Sequence, residues 1–446
     1  MSGPWVKLKR VGMGLAAAGF VGLASCSHKE PAGGPIDVKF CFGEVGLSPG
    51  QFSYPRCLDH DDHGLWVIDK QARVQRLDPK TGECLGGWQM PEWSNGKPCG
   101  VTVWEPPGSD GPLIFIADTH YNRVMVYDGG TAAETSSKTP VPKGGAQGRL
   151  LTRFGVFGKG DGQFIFPTDV AILPTPDGKA IARLYVSEYE ENDRISVYEP
   201  DVPMTKESLL AAIAAQGPNP AAALAVEAAA QTPAAPGGAS ASSNGNPPAP
   251  HPPVPGAVPL LADCPFKFKF AFGHYGSGAS AGDVQFDRPQ SMAVDLKRRE
   301  LIITDACNHR LGRLTLDGKL IKWISGPGEV GQEPGHFAYP YGLCLLEDGT
   351  ALVAEYGNNR VQHVDLESGM SLGFYGQAGH GPGQLAIPWG ITVLGKTAFV
   401  LDSGNNRVIG FAKPQSRKSE VGSRNGGSAS LPPSDFPLPT SRGGAG

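Results

Sequence analysis

Six segments of the chain repeat one pattern, and this repetition constrains the fold more than any other feature. Each copy has a short apolar run that ends in Asp or Glu, then a turn, then an Arg that begins a second apolar run. A unit copied at a period of about 50 residues indicates one supersecondary element placed around a ring or along a solenoid. The acid and Arg of the successive copies are Asp69 and Arg73, Asp118 and Arg123, Glu188 and Arg194, Asp305 and Arg310, Glu355 and Arg360, and Asp402 and Arg407.

A second pattern precedes the first in five of the copies. It consists of a Phe-Gly or Tyr-Gly pair, a glycine-rich turn, an aromatic or Leu residue, and a Pro three residues later; in the fifth copy only the part from Gly335 onward is clear. The second copy keeps only Gly96, Lys97 and Pro98 of this pattern. The two patterns together resemble the NHL-repeat family, whose repeats form β-propellers. The second pattern occupies residues 42–55, 157–167, 272–289, 335–340 and 375–388.

The resemblance implies an all-β fold, a six-bladed β-propeller that spans residues 38–412. Each copy offers four short strands, which cannot bury both faces of a sheet alone, so the blades stack around a channel. The last copy stops after its third strand near Phe411, while a spare strand at 38–42 precedes the first copy. We therefore expect the N-terminal strand to complete the last blade and close the ring, which removes two exposed sheet edges.

The N-terminus has the features of a targeting segment. A basic stretch at residues 7–10 precedes an apolar stretch at 11–24 that is short for a membrane span. It ends in Leu-Ala-Ser-Cys at 23–26, which resembles a bacterial lipobox and implies a signal peptide at 1–25 and lipidation of Cys26. At least two acyl chains suffice for stable anchoring. We expect a cell-envelope protein, anchored in the outer membrane because Ser27 rather than Asp follows; the alternative is an ordinary signal peptide.

Three further segments lie outside the repeats. Residues 26–37 form a tether, and residues 413–446 form a polar tail rich in Pro and Gly that is expected to be disordered. An insertion at 199–263 interrupts the third blade. Thr205 begins one helix-prone stretch, Asn219 begins another, and a Pro- and Ala-rich segment follows. Neither the insertion nor the tail is expected to bury a core.

Composition narrows the classes of partner. Lys and Arg number 39 against 43 Asp and Glu, and no basic stripe occurs, which argues against nucleic acid. Seven cysteines follow Cys26 without a Cys-x-x-Cys spacing, so neither a zinc knuckle nor a c-type haem is indicated. Buried free thiols are expected, with a single disulfide as the alternative. We expect a monomer without a cofactor.

The acids and arginines of the repeats are interpreted as structural, because a role in the turn explains all six copies at once.

A better candidate site is the residue after each repeat proline, at the mouth of the channel, where the copies differ. We predict ligand binding there and expect Arg56, Tyr341 and Trp389 on one side, since blades one, five and six are neighbours. The alternatives are a solvated channel or a Trp389 that only packs. The predicted ligand-binding residues are Arg56, Thr168, Gln290, Tyr341 and Trp389, with Cys99 at the sixth position.

The predicted function is a binding scaffold for a protein, peptide or glycan partner. The alternative is a divalent-metal-dependent hydrolase or lyase, such as a lactonase. Peptidyl-hydroxyglycine lyases resemble NHL propellers, and their zinc-binding histidines follow the repeat proline, but here no His follows any of the six. The segment 59–63, Asp-His-Asp-Asp-His, could bind a metal, although a strand-connecting turn explains it equally.

The lipobox predicts the effect of one substitution. Cys26→Ser removes the thiol that carries the acyl chains, so the protein should move from the membrane fraction to the soluble fraction. Immunoblotting of fractionated cells measures this change. Persistence of the variant in the membrane fraction would show that another element anchors the chain.

Overall fold

In a computed structural model, residues 35–94, 97–131, 148–216, 264–278, 280, 282–326 and 330–415 are described. They form six four-stranded antiparallel sheets, each a blade, and the first blade begins with the second strand of the chain. The strands of the first three blades are β2 (Pro55–His60), β3 (Leu65–Asp69), β4 (Arg73–Leu77) and β5 (Cys84–Gln89); β6 (Gly100–Trp104), β7 (Leu113–Asp118), β8 (Arg123–Asp128) and β9 (Arg149–Phe154); and β10 (Pro167–Pro174), β11 (Ile181–Glu188), β12 (Arg194–Pro200) and β13 (Phe266–Phe272).

The second half of the chain repeats this arrangement. A short parallel pair, β14 (His274–Tyr275) and β15 (Gln285–Phe286), lies in the loop before the fourth blade. The last three blades contain β16 (Pro289–Asp295), β17 (Glu300–Asp305), β18 (Arg310–Thr315) and β19 (Leu320–Ile324); β20 (Pro340–Leu345), β21 (Thr350–Glu355), β22 (Arg360–Asp365) and β23 (Ser371–Tyr375); and β24 (Ile391–Leu394), β25 (Thr397–Asp402), β26 (Arg407–Ala412) and β1 (Val38–Phe42).

The six blades form a propeller around a central channel. The first strands of successive blades contact one another in the order β2, β6, β10, β16, β20, β24 and back to β2, so they are the innermost strands. Apolar side chains fill the space between adjacent blades. For example, Leu65 and Val67 of the first blade are buried against Phe399 and Leu401 of the sixth. Blade-on-blade packing therefore supplies the core that a single sheet lacks.

Strand β1 is the outermost strand of the sixth blade. It pairs antiparallel with β26, with Val38 opposite Phe411 and Phe42 opposite Val408. Just before it, the buried Ile36 donates its backbone N–H to the carbonyl of Gly383 at 2.9 Å. The two ends of the propeller thus meet in one sheet.

Each repeat arginine pairs with the acid of its own blade. The Nε–carboxylate distances of the six pairs range from 2.6 to 3.0 Å. In the fourth blade, Arg310 also donates to the carbonyls of Gly278 and Gln285, and Asp305 accepts the N–H of Asp287. The pair therefore ties the glycine-rich loop to the blade that follows it, which supports the structural interpretation of these residues.

A second set of hydrogen bonds joins five of the six blades to the next blade. At the left-handed position before the repeat arginine, Asn359 (φ 53°) accepts the N–H of Ile387, the residue before the next proline, at 2.7 Å. The first blade has Ala72 at this position (φ 55°), which offers no acceptor side chain. The equivalent bonds run from Phe166 to Asn122, from Arg288 to Asp193, from Tyr339 to His309 and from Tyr54 to Asn406.

The second blade lacks part of this network because the glycine-rich pattern before it is missing. One carboxylate oxygen of Asp118 is buried without a hydrogen-bond partner. Glu92 takes part of the role of the absent loop by pairing with Arg123. Burial, with the nearby charge of Glu92, raises the pKa of Asp118 to about 6.

One expectation about the insertion at 199–263 was wrong. Its first helix, α1 (Lys206–Gln216), begins where the sequence predicts, and Thr205 and Ser208 exchange hydrogen bonds at its start. However, Leu209 and Ile213 are buried in the core between the second and third blades, so the insertion does contribute to a core. The two residues are four apart and share one helix face.

Several predicted segments lie outside the described residues: the signal peptide at 1–25 with Cys26, most of the tether, the second stretch from Asn219, and the tail from residue 416. Within the described ranges, no helix combines the length and apolarity that a membrane crossing requires.

The pairing of β1 with β26 predicts the effect of a deletion. Removal of residues 36–42 would leave the edge of β26 unpaired and expose the apolar contacts of Ile36, so the yield of soluble folded protein should fall to near zero. Expression yield and a thermal unfolding curve measure this. A cooperative transition at the parent temperature would show that β1 is dispensable.

Candidate functional site

The channel contains a cavity of about 370 Å³ that is lined by the innermost strands of all six blades. The repeat prolines begin or directly precede these strands, so the residue after each proline lies at one end, which we call the mouth. Glycine permits close approach of the strands there. A Cβ atom on Gly342 would lie 2.7 Å from the carbonyl oxygen of Trp389, so no larger residue fits at this position without movement.

Aromatic side chains from three blades cluster at the mouth. The ring centroids of Tyr341 and Trp389 are 4.9 Å apart, and Tyr356 stacks on Tyr341 at 4.7 Å. Tyr54 meets Trp389 edge-on at 6.2 Å. Tyr341 and Trp389 are largely buried, so the cluster forms a rigid apolar floor beside the cavity.

Two arginines lie over this floor. The Cζ atom of Arg56 is 4.7 Å from the centroid of a Trp389 ring, and that of Arg288 is 4.6 Å from Tyr189 and 5.3 Å from Tyr341. In the described part of the chain, no carboxylate lies within 4.0 Å of either guanidinium. Both cations therefore rest on aromatic faces without a counter-ion.

The electrostatics of the mouth are correspondingly positive. Burial, together with the charges of Lys70 and Arg56, lowers the pKa of Lys97. The Nε atom of Arg56 and the indole Nε1 of Trp389 are buried and have no hydrogen-bond acceptor. Buried donors without acceptors are rare in folded proteins, so these two N–H groups indicate that a ligand with acceptor atoms could bind at the mouth.

The structure brings together three of the predicted site residues, Arg56, Tyr341 and Trp389. Gln290 also lines the cavity, but its side-chain oxygen accepts the Nε–H of Arg288 at 3.1 Å. Cys99 lines the cavity too, with its sulfur 3.7 Å from Nη1 of Arg56. Both residues therefore line the cavity together with Tyr341.

Thr168 does not face the cavity, contrary to the sequence expectation. It is fully buried, and its hydroxyl donates to the carbonyl of Pro289 at 2.6 Å, which joins the third and fourth blades. A short hydroxyl side chain can satisfy itself on the neighbouring strand, whereas the longer side chains at the equivalent positions extend into the mouth. The position after the proline alone therefore does not determine which residues line the cavity.

The wall of the cavity is acidic below the mouth. Asp59 accepts the N–H of Val103 at 2.7 Å, and Asp169 accepts the N–H of Met292 at 2.8 Å. Each carboxylate thus connects the innermost strands of adjacent blades. Burial raises the pKa of Asp169 to about 7.

Asp61 and His60 of the segment 59–63 form hydrogen bonds within the propeller. Asp61 accepts hydrogen bonds from the indole of Trp66 at 2.7 Å and from Nε of Arg76 at 2.9 Å. His60 Nδ1 lies 2.9 Å from the hydroxyl of Thr392 in the sixth blade. Among the residues that the structure describes, no three His, Cys, Asp or Glu side chains converge as metal ligands would.

The pKa of Asp169 predicts a pH dependence. The folded protein keeps the proton on Asp169 at pH values where the unfolded chain, with a pKa of 3.8, has lost it, so stability falls as the pH rises from about 4 to about 7. Asp169→Asn should therefore gain stability relative to the parent over this range and show no further gain above about pH 7, as measured by urea unfolding. The matched control, Asp177→Asn in an exposed turn, should show no such trend, and a parallel response of both variants would contradict the assignment.

Comparisons with known proteins agree with the repeat pattern. The NHL repeat family model matches residues 286–314. NHL repeat-containing protein 3 of Homo sapiens is 34% identical over 99 residues, which cover 22% of this chain and 27% of that protein. NHL repeat-containing protein 2 of Gallus gallus is 31% identical over 107 residues, covering 22% of this chain and 14% of that protein. The chain thus matches about a quarter or less of the length of these relatives.

Solved structures with a similar arrangement include a protein of unknown function from Bacteroides thetaiotaomicron, with a TM-score of 0.47 and 13% identity over 86% of this chain and 75% of that one. A streptogramin B lyase has a TM-score of 0.43 and 14% identity over 84% of this chain and 88% of that one. The repeat pattern, the family model and the NHL-repeat relatives agree with one another. The chain carries an NHL repeat at residues 286–314 and folds as a six-bladed β-propeller.

Proposed function

We propose that the propeller is a binding scaffold that holds a protein, peptide or glycan partner through a carboxylate group at the mouth. The observation that carries this proposal is the pair of guanidiniums, Arg56 and Arg288, which lie on an aromatic floor without carboxylate partners in the described residues. A planar guanidinium fork matches a carboxylate in two parallel hydrogen bonds. The chemistry of the mouth thus fits an anionic group better than a neutral one.

The aromatic floor adds selectivity for the rest of the ligand. Tyr341, Tyr356 and Trp389 offer flat apolar faces with polar edges, which suit a sugar ring or a peptide side chain. Their packing against one another fixes their orientation, so little side-chain entropy is lost when a ligand binds. The cavity of about 370 Å³ has the size for one terminal group of a larger partner.

The cellular setting follows from the lipobox at Cys26. A lipid-anchored propeller would present its mouth to components of the cell envelope, and a monomer suffices because the mouth is built within one chain. The competing function is a divalent-metal-dependent hydrolase or lyase. Metal analysis of the purified protein separates the two functions, since a tightly held stoichiometric Ca²⁺ or Zn²⁺ would favour turnover.

The binding experiment uses two substitutions and one control. Arg56→Ala removes a donor fork and should weaken capture of an acidic partner by about tenfold or more, the loss expected for one charge-assisted hydrogen bond. Trp389→Ala removes part of the aromatic floor and should also weaken capture. Lys319→Ala removes an exposed charge from a turn of the fourth blade and should have no effect. A pull-down from envelope extracts first identifies partners. Calorimetry then measures the affinity for two pairs of probes: a peptide with a free or an amidated C-terminus, and an oligosaccharide with or without a uronic acid.

The melting temperatures decide between a binding and a packing role. Arg56→Ala should melt within a few degrees of the parent because Arg56 is only partly buried, whereas Trp389→Ala should melt lower but still cooperatively because Trp389 packs against Tyr341. If Trp389→Ala collapses the fold while Arg56→Ala leaves capture unchanged, the cluster is structural and the partner binds elsewhere. Equal affinity for the free and the amidated peptide, and for the two oligosaccharides, would also exclude the carboxylate.

A further inference from the structure

The glycine-rich loops expose apolar side chains at one equivalent position. In five blades, the residue before a loop glycine pairs in a parallel bridge with the residue that inserts into the core at the end of the loop. The bridge fixes the backbone while the side chain points to solvent, and the four large side chains are 62 to 73% exposed. The exposed residues and their bridge partners are Val45 with Phe52, Phe157 with Phe164, Tyr275 with Phe286, Val330 with Phe337, and Ala378 with Leu385.

These side chains form a ring around the propeller. Equivalent positions in a propeller are related by rotation about one axis, so they lie on one circle in one plane. Two neighbouring side chains, Leu47 and Val156, are 68 and 62% exposed and extend the ring. We call Val45, Leu47, Val156, Phe157, Tyr275 and Val330 the apolar rim. A single exposed apolar side chain is ordinary, but here the equivalent position is apolar in all five loops although its side chain adds little to the core.

We propose that the apolar rim docks on the surface of a lipid bilayer. Its side chains are spread over four loops around a circle instead of forming one contiguous patch. A protein partner would need a continuous, well-packed centre to its interface. A bilayer is a fluid plane that can accept separated apolar side chains at the same time, each to a shallow depth.

The place where the N-terminal segment enters the propeller supports a bilayer as the surface on which the rim docks. Ile36 is bonded to Gly383, which lies in the glycine-rich loop of the sixth blade, so the chain enters the propeller at one of the loops that carry the equivalent position. The predicted lipidation site, Cys26, precedes Ile36 by ten residues (36 − 26), which span at most about 35 Å when fully extended. The anchor would therefore keep the rim within reach of the membrane.

The charges near the rim predict how the docking depends on lipid composition. Lys159 pairs with Glu191 at 2.8 Å, and His274 pairs with Asp283 at 2.6 Å, so the described residues of these loops present no basic cluster. Docking of the rim should therefore not require anionic lipid, although Arg56 and Arg288 of the mouth can add attraction to it. Because rim and mouth belong to the same end of the ring, docking turns the mouth toward the bilayer, and a mouth ligand would be a group carried at the membrane surface.

The test uses the full lipidated chain reconstituted in phosphatidylcholine vesicles. Lipids with brominated acyl chains quench tryptophan that contacts them, so Phe157→Trp and Tyr275→Trp should each add fluorescence that the brominated lipid quenches. Met370→Trp and Val202→Trp are matched controls, since both positions are exposed to a similar degree outside the rim. The added fluorescence of the controls should stay unquenched, and quenching of the rim tryptophans should not require phosphatidylglycerol.

Three outcomes would overturn the proposal. The first is equal quenching of rim and control tryptophans, which would show that the lipid anchor only tethers a freely tumbling propeller. The second is quenching that appears only with phosphatidylglycerol, which would indicate electrostatic attraction instead. The third is absence of quenching together with loss of capture of an envelope protein by Val45→Ser and Phe157→Ser, which would assign the rim to a protein partner. None of these outcomes bears on the carboxylate site, which is tested separately.

Discussion

The buried ion pair of each blade is the interaction on which the rest of the propeller depends. Arg310 illustrates it, because one fully buried guanidinium binds both the carboxylate of Asp305 and the carbonyls of the loop that leads into the blade. A buried charge without such partners would be strongly unfavourable, so the loop and the blade must form together. The loop in turn places the proline and the mouth residue that follows it. The ion pair, whose acid lies on the strand next to the innermost one, thus determines where the residues of the candidate site are placed.

The second blade indicates what this arrangement requires. Its glycine-rich loop is missing, and as a result Asp118 has an unpaired buried oxygen and a pKa near 6. The neighbouring first blade has Ala72 where other blades have a side chain that bonds to the next blade. The loop contacts and the blade-to-blade hydrogen bond are therefore both absent between the first and second blades. Packing of apolar side chains such as Trp66, Ile114 and Met125 holds the first and second blades together instead.

The sequence predicts the fold well because each repeat carries its own acid, arginine and proline, and because the spare strand at 38–42 has one place to pair. It also places Arg56, Tyr341 and Trp389 together, since ring order follows chain order. It does not reveal Arg288, which precedes its proline and reaches the mouth only because its backbone is left-handed (φ 61°). The structure differs from the expectations for Thr168 and for the insertion at 199–263 for a related reason, because hydrogen bonding across blades and the burial of one helix face depend on contacts between distant segments.

The position of β1 has a consequence for how the protein is made. The strand that is synthesised first pairs with β26, which is synthesised last, so the sixth sheet joins residues more than 360 positions apart (Val38 with Phe411). Contacts this distant in sequence form slowly, because a long loop must close before they stabilise anything. The ring is therefore incomplete until residue 412 is available.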